Sequence, residues 1–229
     1  MSNTVQQTNP RTSARGDLDL TFDVDYPQQL SRWKTAFRPV LALPIIALIA
    51  ILVGPYRFGG LTASWGIDPW TVTVPDFAYV GGLLVLAPLL MIVIRRKYPR
   101  WWFDWNVGLL KLQSRVAAYL YLLRDEYPST DEDQGVHLAV RYPDASQELN
   151  RWLPLVKWLF AIPHYIVLLV LSVASMVAVV IAWFAVVITG RYPRPLFNFT
   201  VGFLRWNYRV IAYAFLLVTD KYPPFRLGA

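Results

Sequence analysis

Three long apolar segments dominate the pattern of hydrophobic and polar positions along the chain, over residues 35–53, 77–94 and 158–189. A membrane core near 30 Å thick is crossed by about 20 helical residues, which suits the first two segments. The third contains no Asp, Glu, Lys or Arg, and as one helix it would be about 48 Å long. We therefore predict that it folds, together with residues 153–157, into two spans joined by a turn near residues 172–175, which makes four transmembrane helices in all.

Two short segments alternate between apolar and polar residues, the pattern of a strand with one buried face. The residues on the apolar face are Leu18, Leu20, Phe22 and Val24 in the first segment and Val136, Leu138 and Val140 in the second. Because an isolated strand is marginal in water, we predict that the two strands pair with each other in a small cytoplasmic β-sheet.

The chain also contains an internal similarity. Residues 115–119, Arg-Val-Ala-Ala-Tyr, return at residues 209–213 as Arg-Val-Ile-Ala-Tyr, a shift of 94 residues. Further upstream the shift is 119, since Pro44 returns as Pro163. A shift that holds over whole segments indicates a repeat, and the larger value places an additional outward loop, around residues 56–75, in the first copy.

The predicted fold is mainly α-helical and embedded in a membrane. Residues 1–16 are polar and are expected to form a disordered tail, residues 17–130 form repeat 1 and residues 131–229 form repeat 2. Each repeat is predicted to contain a strand, two spans and an amphipathic interfacial helix, and both enter the membrane from one side, so the repeats are parallel. Lys and Arg flank the spans on that side, which predicts that both termini are cytoplasmic.

The interfacial helices carry the first candidate site. Lys111 and Arg115 lie four residues apart on one helical face, and Arg205 and Arg209 repeat the pair. Two cations at this spacing repel each other unless an anion lies between them, so we predict that these four residues bind anionic lipid headgroups or an acidic partner. A solvated helix face and a substrate site are the alternatives.

His164 is the second candidate, as a polar site inside the membrane. It follows Pro163 and is the one ionisable residue deep in the predicted spans. It could ligate a haem or chlorin, relay a proton, or form a hydrogen bond with a carbonyl that Pro163 leaves free. Its counterpart in the first repeat is Ile45, so a haem held between two histidines is not predicted.

Composition narrows the classes of function. The 229 residues are 55% hydrophobic and 16% charged, carry a net charge of +7 and include no Cys. The basic residues flank apolar runs, which favours anionic phospholipid rather than nucleic acid as the counter-charge. No catalytic or metal-binding motif is present, so we expect no enzymatic activity, no metal and no cofactor beyond bound phospholipid.

Three segments carry a resemblance to a known family: residues 98–104 (Tyr-Pro-Arg-Trp-Trp-Phe-Asp), 119–128 (Tyr-Leu-Tyr-Leu-Leu-Arg-Asp-Glu-Tyr-Pro) and 191–195 (Arg-Tyr-Pro-Arg-Pro). The chain resembles, over residues 18–227, a family of bacterial membrane proteins built on a domain of unknown function. The resemblance implies a small multi-pass protein of the bacterial cytoplasmic membrane with two tandem copies of the domain. It implies no catalytic residues.

These observations lead to one principal hypothesis and two alternatives for function. The principal one is a non-enzymatic membrane accessory or scaffold protein that binds anionic lipid and protein partners, either other membrane proteins or further copies of itself, at its cytoplasmic face. A small transporter or channel with a path between the repeats is the first alternative. An enzyme that modifies lipids is the second.

Overall fold

The computed structural model describes residues 19–53, 80–130 and 132–228. The elements in chain order are β1 (Leu20–Val24), α1 (Arg32–Leu41), α2 (Leu43–Val53), α3 (Val80–Arg95), α4 (Arg100–Leu120), β2 (Val136–Val140), α5 (Pro154–Phe160), α6 (Ile162–Thr189) and α7 (Arg194–Ala214). The predicted tail at residues 1–16 and the predicted outward loop at residues 56–75 lie outside the described residues.

The predicted pairing of the two strands is confirmed. β1 and β2 form an antiparallel two-stranded sheet in which Phe22 lies opposite Leu138. The alternating residues of β1, Leu20, Phe22 and Val24, are buried. β1 packs on α7 and β2 packs on α4, with the rings of Phe22 and Tyr208 4.8 Å apart. The sheet therefore joins the two segments that the sequence treats as separate halves.

The predicted fold of four transmembrane helices in two parallel repeats is wrong. Within the described ranges, α6 is the one helix long and apolar enough to cross a membrane. It is continuous over 28 residues, so the predicted turn near residues 172–175 does not exist. The physical reason is local: no Pro or Gly interrupts residues 164–189, and the Ser172 hydroxyl donates to the Leu169 carbonyl of its own helix at 2.7 Å. The helix continues to Gly190, whose φ of +73° ends it.

The first two predicted spans fail for different reasons. The segment at residues 35–53 divides at Ala42 into α1 and α2, of 10 and 11 residues. Pro44 has no N–H to donate to Val40, so α1 cannot continue through it. The described part of α3 has 16 residues, fewer than a membrane crossing requires, and the first three residues of the predicted span lie outside the described range.

The predicted interfacial helix of the second half is instead a core helix. α7 buries residues around most of its circumference, among them Phe203, Trp206 and Tyr208. β1 covers one side of it. The C-terminal segment, Lys221 to Gly228, covers Gly202, at which an added Cβ would lie 3.0 Å from the Cβ of Leu227. α4, by contrast, leaves Trp101, Trp105 and Lys111 exposed.

Candidate functional site

Two short helices each direct one cation inward and apolar side chains outward. In α1, Arg38 is 2% exposed while Trp33 and Phe37 on the same helix are exposed. In α5, Lys157 is 0% exposed while Trp158 is exposed. A helix on the surface of a soluble protein has the reverse arrangement. Helices of this kind are stable only where an apolar phase meets their outer face and a partner meets the buried charge.

Arg38 is held by the end of α4 and the residues that follow it. One guanidinium nitrogen donates to the carbonyls of Tyr119 at 2.8 Å and Arg124 at 3.1 Å. A second forms an ion pair with Asp125, and the guanidinium lies 4.5 Å from the centre of the Tyr119 ring. Burial lowers the pKa of Arg38 and the charge of Asp125 opposes that shift. The cation is therefore enclosed and compensated.

Lys157 is held by the end of α7 in the same manner. Its Nζ donates to the Thr219 carbonyl at 2.7 Å and lies 2.7 Å from Oδ1 of Asp220. The amine is 5.3 Å from the centre of the Tyr213 ring. Burial lowers the pKa of Lys157, and the hydrogen bond and charge of Asp220 oppose the shift.

The two arrangements lie at corresponding positions in the two halves. Lys157 follows Arg38 by 119 residues and Tyr213 follows Tyr119 by 94, which are the shifts of the sequence repeat. Asp220 follows Asp125 by 95 residues, one more than the shift between α4 and α7. Each carboxylate also accepts a backbone N–H from the segment that leads into its short helix. Ser31 donates to Asp125 at 2.5 Å and Asn150 donates to Asp220 at 2.6 Å. Both cations thus fasten a short helix to the end of a long one, which is a structural role.

A second set of paired contacts crosses from one half to the other. The Tyr26 hydroxyl donates to the Tyr192 carbonyl at 2.6 Å, and the Tyr142 hydroxyl donates to the Tyr98 carbonyl at 2.5 Å. Two residues after each accepting tyrosine, an arginine lies over the ring of the donating tyrosine. Arg194 lies over the ring of Tyr26, and Arg100 lies over the ring of Tyr142. All four of these tyrosines precede a proline, so Tyr-Pro sequences form hydrogen bonds between the halves.

The four predicted headgroup-binding residues do not form one kind of site. Lys111 is exposed on α4, and Arg115 donates to the Ser129 carbonyl at 2.5 Å. Arg205 donates to the Phe22 carbonyl at 2.9 Å and the Leu227 carbonyl at 3.3 Å, and it pairs with Asp23 at 3.1 Å. The fold itself already engages Arg205.

Arg209 is buried as well. It donates to the carbonyl of Gly228 at 3.0 Å and to that of Arg226 at 3.5 Å. Burial, with the nearby charges of Arg205 and Arg226, lowers its pKa to about 10. Backbone carbonyls of the C-terminal segment thus supply the negative partial charge that the sequence assigned to a phosphate. No periodic pattern in α7 reveals that a distant segment lies across it.

His164 lies in an aromatic enclosure and is 0% exposed. Its Nδ1 accepts a hydrogen bond from the Trp206 indole at 3.1 Å, and its ring stacks on Phe225 at 4.0 Å between centres. Tyr222 lies against it at 4.8 Å. In the part of the chain that the structure describes, no group of three His, Asp or Glu residues could hold a metal. These surroundings favour a structural role for His164 in packing, rather than ligation of a haem or relay of a proton.

A basic groove lies between the α3–α4 junction and the loop at residues 141–148. We define it by Arg95, Arg96, Lys97, Trp101 and Arg141, which line an open volume of about 980 Å³. In the sequence, its cations indicate only the orientation of the predicted spans in the membrane. Their grouping depends on β2, which brings Arg141 beside the end of α3, so the sequence alone does not reveal a groove.

An apolar surface extends along α6. Its exposed large side chains are Ile162, Ile166, Leu169, Val170, Val173, Met176, Val177, Val180, Ile181, Phe184 and Ile188. The opposite face is buried and includes His164, Ala178, Ala182 and Val186. Only 22% of the most apolar 18-residue stretch is buried, whereas the core helix of a soluble protein is mostly buried. The exposed face is far larger than the apolar patches that monomeric soluble proteins present to water.

Comparison with known proteins identifies one domain. A family model described as a domain of unknown function, DUF4389, matches residues 152–226. That range contains α5, α6 and α7 and most of the C-terminal segment, so it includes the Lys157 arrangement and the His164 enclosure. No curated protein and no solved structure matches the chain.

Proposed function

We propose that this protein is a non-enzymatic accessory or scaffold protein of the bacterial cytoplasmic membrane, which binds anionic phospholipid and a membrane-protein partner. The observation that carries the proposal is the exposed apolar face of α6, which runs from Ile162 to Ile188. In water such a face would drive aggregation, and in lipid or against an apolar partner it is stable.

The two short helices support membrane association independently. Trp33, Trp152 and Trp158 are all exposed on or beside α1 and α5, and Trp side chains are enriched where a membrane meets water. The ion pairs of Arg38 and Lys157 hold these helices in place from the inner side. We infer that α1 and α5 lie at the membrane interface with their aromatic faces toward lipid.

We also propose that the first half of the chain carries a diverged second copy of the domain matched at residues 152–226. The support comes from the two buried cation arrangements and the two cross-half tyrosine hydrogen bonds, which recur at shifted positions. Helices α4 and α7 both have 21 residues, and their bounds are 94 positions apart. Duplication of a domain accounts for both features without any catalytic function.

The transporter alternative draws less support from the described residues. His164 was its principal candidate, and that ring is enclosed by Trp206, Tyr222 and Phe225. One ring nitrogen is already engaged by Trp206. We therefore assign His164 a packing role and place the interactions with partners on the exposed faces.

Membrane fractionation followed by mild-detergent purification tests the proposal. We expect the full chain to stay in the membrane pellet after a high-salt wash and an alkaline carbonate wash, and to purify with a stoichiometric protein partner identified by mass spectrometry. A double variant, Val177→Glu with Ile181→Glu, should release the partner or the membrane, since both side chains lie on the exposed face of α6.

A matched control replaces two exposed polar residues away from the apolar face, Gln147→Glu with Gln28→Glu. Recovery of the wild-type chain as a soluble, monomeric protein without detergent would contradict the proposal. Recovery in the membrane with neither a partner protein nor retained lipid would contradict the accessory role.

A further inference from the structure

Three consecutive cations end α3. Arg95, Arg96 and Lys97 are all exposed, and among the described residues no carboxylate pairs with any of them. Like charges at adjacent positions repel one another, and an anion beside them would reduce that repulsion. The cluster is therefore a local excess of positive charge on the surface of the fold.

Of the other charges in the basic groove, Arg141 pairs with Glu148 and lies 3.7 Å from Asp19. Asp144 keeps its negative charge, because its hydrogen bonds at 2.9 and 2.6 Å come from the neutral donors of Ser146. The residues that line the groove thus include four cations and two carboxylates, so its net charge is positive. The groove presents three free cations next to an open volume of about 980 Å³, which is sufficient for a phosphate-bearing headgroup.

The backbone of Arg96 supplies a second, independent observation. Arg96 has a φ of +50°, in the left-handed region that favours glycine. The position 94 residues later is Gly190, which ends α6 with a φ of +73°. The same kind of helix end is thus built with glycine in one half and with a strained arginine in the other. Among the described residues Leu122 and Leu217 also have positive φ, so the strain shows that this arginine is held at a conformational cost, and its role rests on the charge of the cluster.

An apolar stripe leads from α3 into the groove. Leu86, Leu90 and Ile94 are exposed and four residues apart, so they lie along one face of the helix and reach Arg95. Trp101 is 67% exposed at the mouth of the groove. A free phosphate would need the cations alone, whereas a phospholipid would also use the stripe for its acyl chains and the indole at headgroup level.

From the three free cations, the strained Arg96 and the adjoining apolar stripe we infer that the basic groove is a binding site for an anionic phospholipid. Its phosphate lies against Arg95, Arg96 and Lys97, and its acyl chains follow Leu86, Leu90 and Ile94. The inference rests on the proposed membrane function and deepens it. It moves the headgroup site away from Arg205 and Arg209, which the fold engages.

Native mass spectrometry of the full chain in a neutral detergent tests the site, with phosphatidylglycerol and phosphatidylcholine supplied in equal amounts. We expect the wild-type protein to retain phosphatidylglycerol in preference by about tenfold, as three cations near a phosphate allow. The variant Arg95→Gln with Arg96→Gly and Lys97→Gln should lose that preference. The charge-matched control Lys34→Gln with Arg191→Gln and Arg226→Gln changes three exposed cations elsewhere and should keep it.

The single variant Arg96→Gly separates binding from folding. Because glycine relieves the left-handed strain, its melting temperature should equal or exceed that of the wild type, while its preference for phosphatidylglycerol should fall. A preference that survives in the triple variant would overturn the site. Full displacement of the lipid by soluble glycerol phosphate at equal concentration would overturn the lipid assignment in favour of a free phosphate ester.

The two proposals fail in distinguishable ways. A chain that stays in carbonate-washed membranes but shows no preference for phosphatidylglycerol contradicts the lipid site and leaves the membrane function in place. A chain that is released from the membranes by the wash contradicts both.

Discussion

α4 and α7 have the same length, begin and end at positions 94 residues apart and share an amphipathic sequence pattern, but they occupy different environments. α4 exposes Trp101, Trp105 and Lys111, whereas α7 is buried around most of its surface. The difference lies in what covers each helix. β1 and the segment from Lys221 to Gly228 lie across α7, and Arg205 and Arg209 donate to their carbonyls. A basic amphipathic face therefore has two stable arrangements in this fold, exposed on the surface or covered by a segment that offers carbonyl oxygens.

The largest expected effect comes from breaking the ion pair at the end of α7. Asp220→Ala leaves the fully buried Lys157 with one carbonyl partner, and removing one member of a buried pair costs about 3 kcal/mol of unfolding free energy. Asp125→Ala should cost about half as much, because Arg38 keeps two carbonyl acceptors and the Tyr119 ring. Thermal melts in detergent measure both.

The control for this comparison is Lys157→Met combined with Asp220→Leu, which removes both charges. It should recover most of the stability lost in Asp220→Ala, since no unpaired charge remains buried. Equal losses for Asp125→Ala and Asp220→Ala would show that the two arrangements are energetically alike.

The next effect concerns the contact between α6 and α7 at His164. In the first half, Ile45 stands at the position equivalent to His164 and Leu112 at the position equivalent to Trp206. These two residues form an apolar cluster with Val116. Trp206→Leu should lower the unfolding free energy by about 2 kcal/mol, because it leaves a cavity and removes the donor to His164. Adding His164→Ile should recover part of the loss, since the unsatisfied polar ring is gone. Additive losses in the double variant would refute this account of the pair.

The C-terminal segment gives a smaller effect that is specific to α7. Truncation after Pro224 removes the Leu227 carbonyl that accepts from Arg205 and the Gly228 carbonyl that accepts from Arg209. It also removes the Phe225 ring that stacks on His164. We expect a loss of about 1–2 kcal/mol and faster amide hydrogen exchange in α7. Exchange in α4 should be unchanged and serves as the internal control. Acceleration of both helices alike would mean that the segment stabilises the whole fold rather than α7.

The smallest effect compares two glycines at equivalent positions. Gly108 has nothing within 4 Å of an added Cβ, whereas Gly202 has the Cβ and the carbonyl oxygen of Leu227 at 3.0 Å. Gly108→Ala should raise the unfolding free energy by about 0.5–1 kcal/mol through helix propensity. Gly202→Ala should gain less or lose stability, because Leu227 must move. The same gain at both positions would show that the C-terminal segment moves away from residue 202 without a loss of unfolding free energy.

The sequence predicted those parts of the fold that depend on local periodicity. The alternation around Phe22 and around Leu138 was sufficient to find both strands, and their pairing followed because neither had another partner. The 94-residue shift correctly related the bounds of α4 and α7. The number of spans was wrong because serine near the middle of a long apolar run does not end a helix, and because Ala42 and Pro44 divide a segment whose hydropathy is continuous.

The candidate site was less predictable than the fold. Lys111 remains exposed as expected, but the carbonyls that engage Arg205 and Arg209 come from chain segments up to 183 residues away. Lys157 directly precedes the third apolar segment in the sequence, and in the structure its amine lies against Asp220 inside the protein. Contacts of this kind leave no periodic trace in either segment.

The sequence by itself determined that this chain has two amphipathic basic helices and a pair of strands, because side-chain periodicity and charge are properties of neighbouring residues. Only the tertiary structure decided which basic residues pair with groups of the protein and which remain free on its surface. That decision depends on distant segments: the sheet and the C-terminal residues cover α7, and β2 brings Arg141 beside Arg95, Arg96 and Lys97. Burial and pairing of a charge depend on three-dimensional proximity, and a linear pattern does not contain that information.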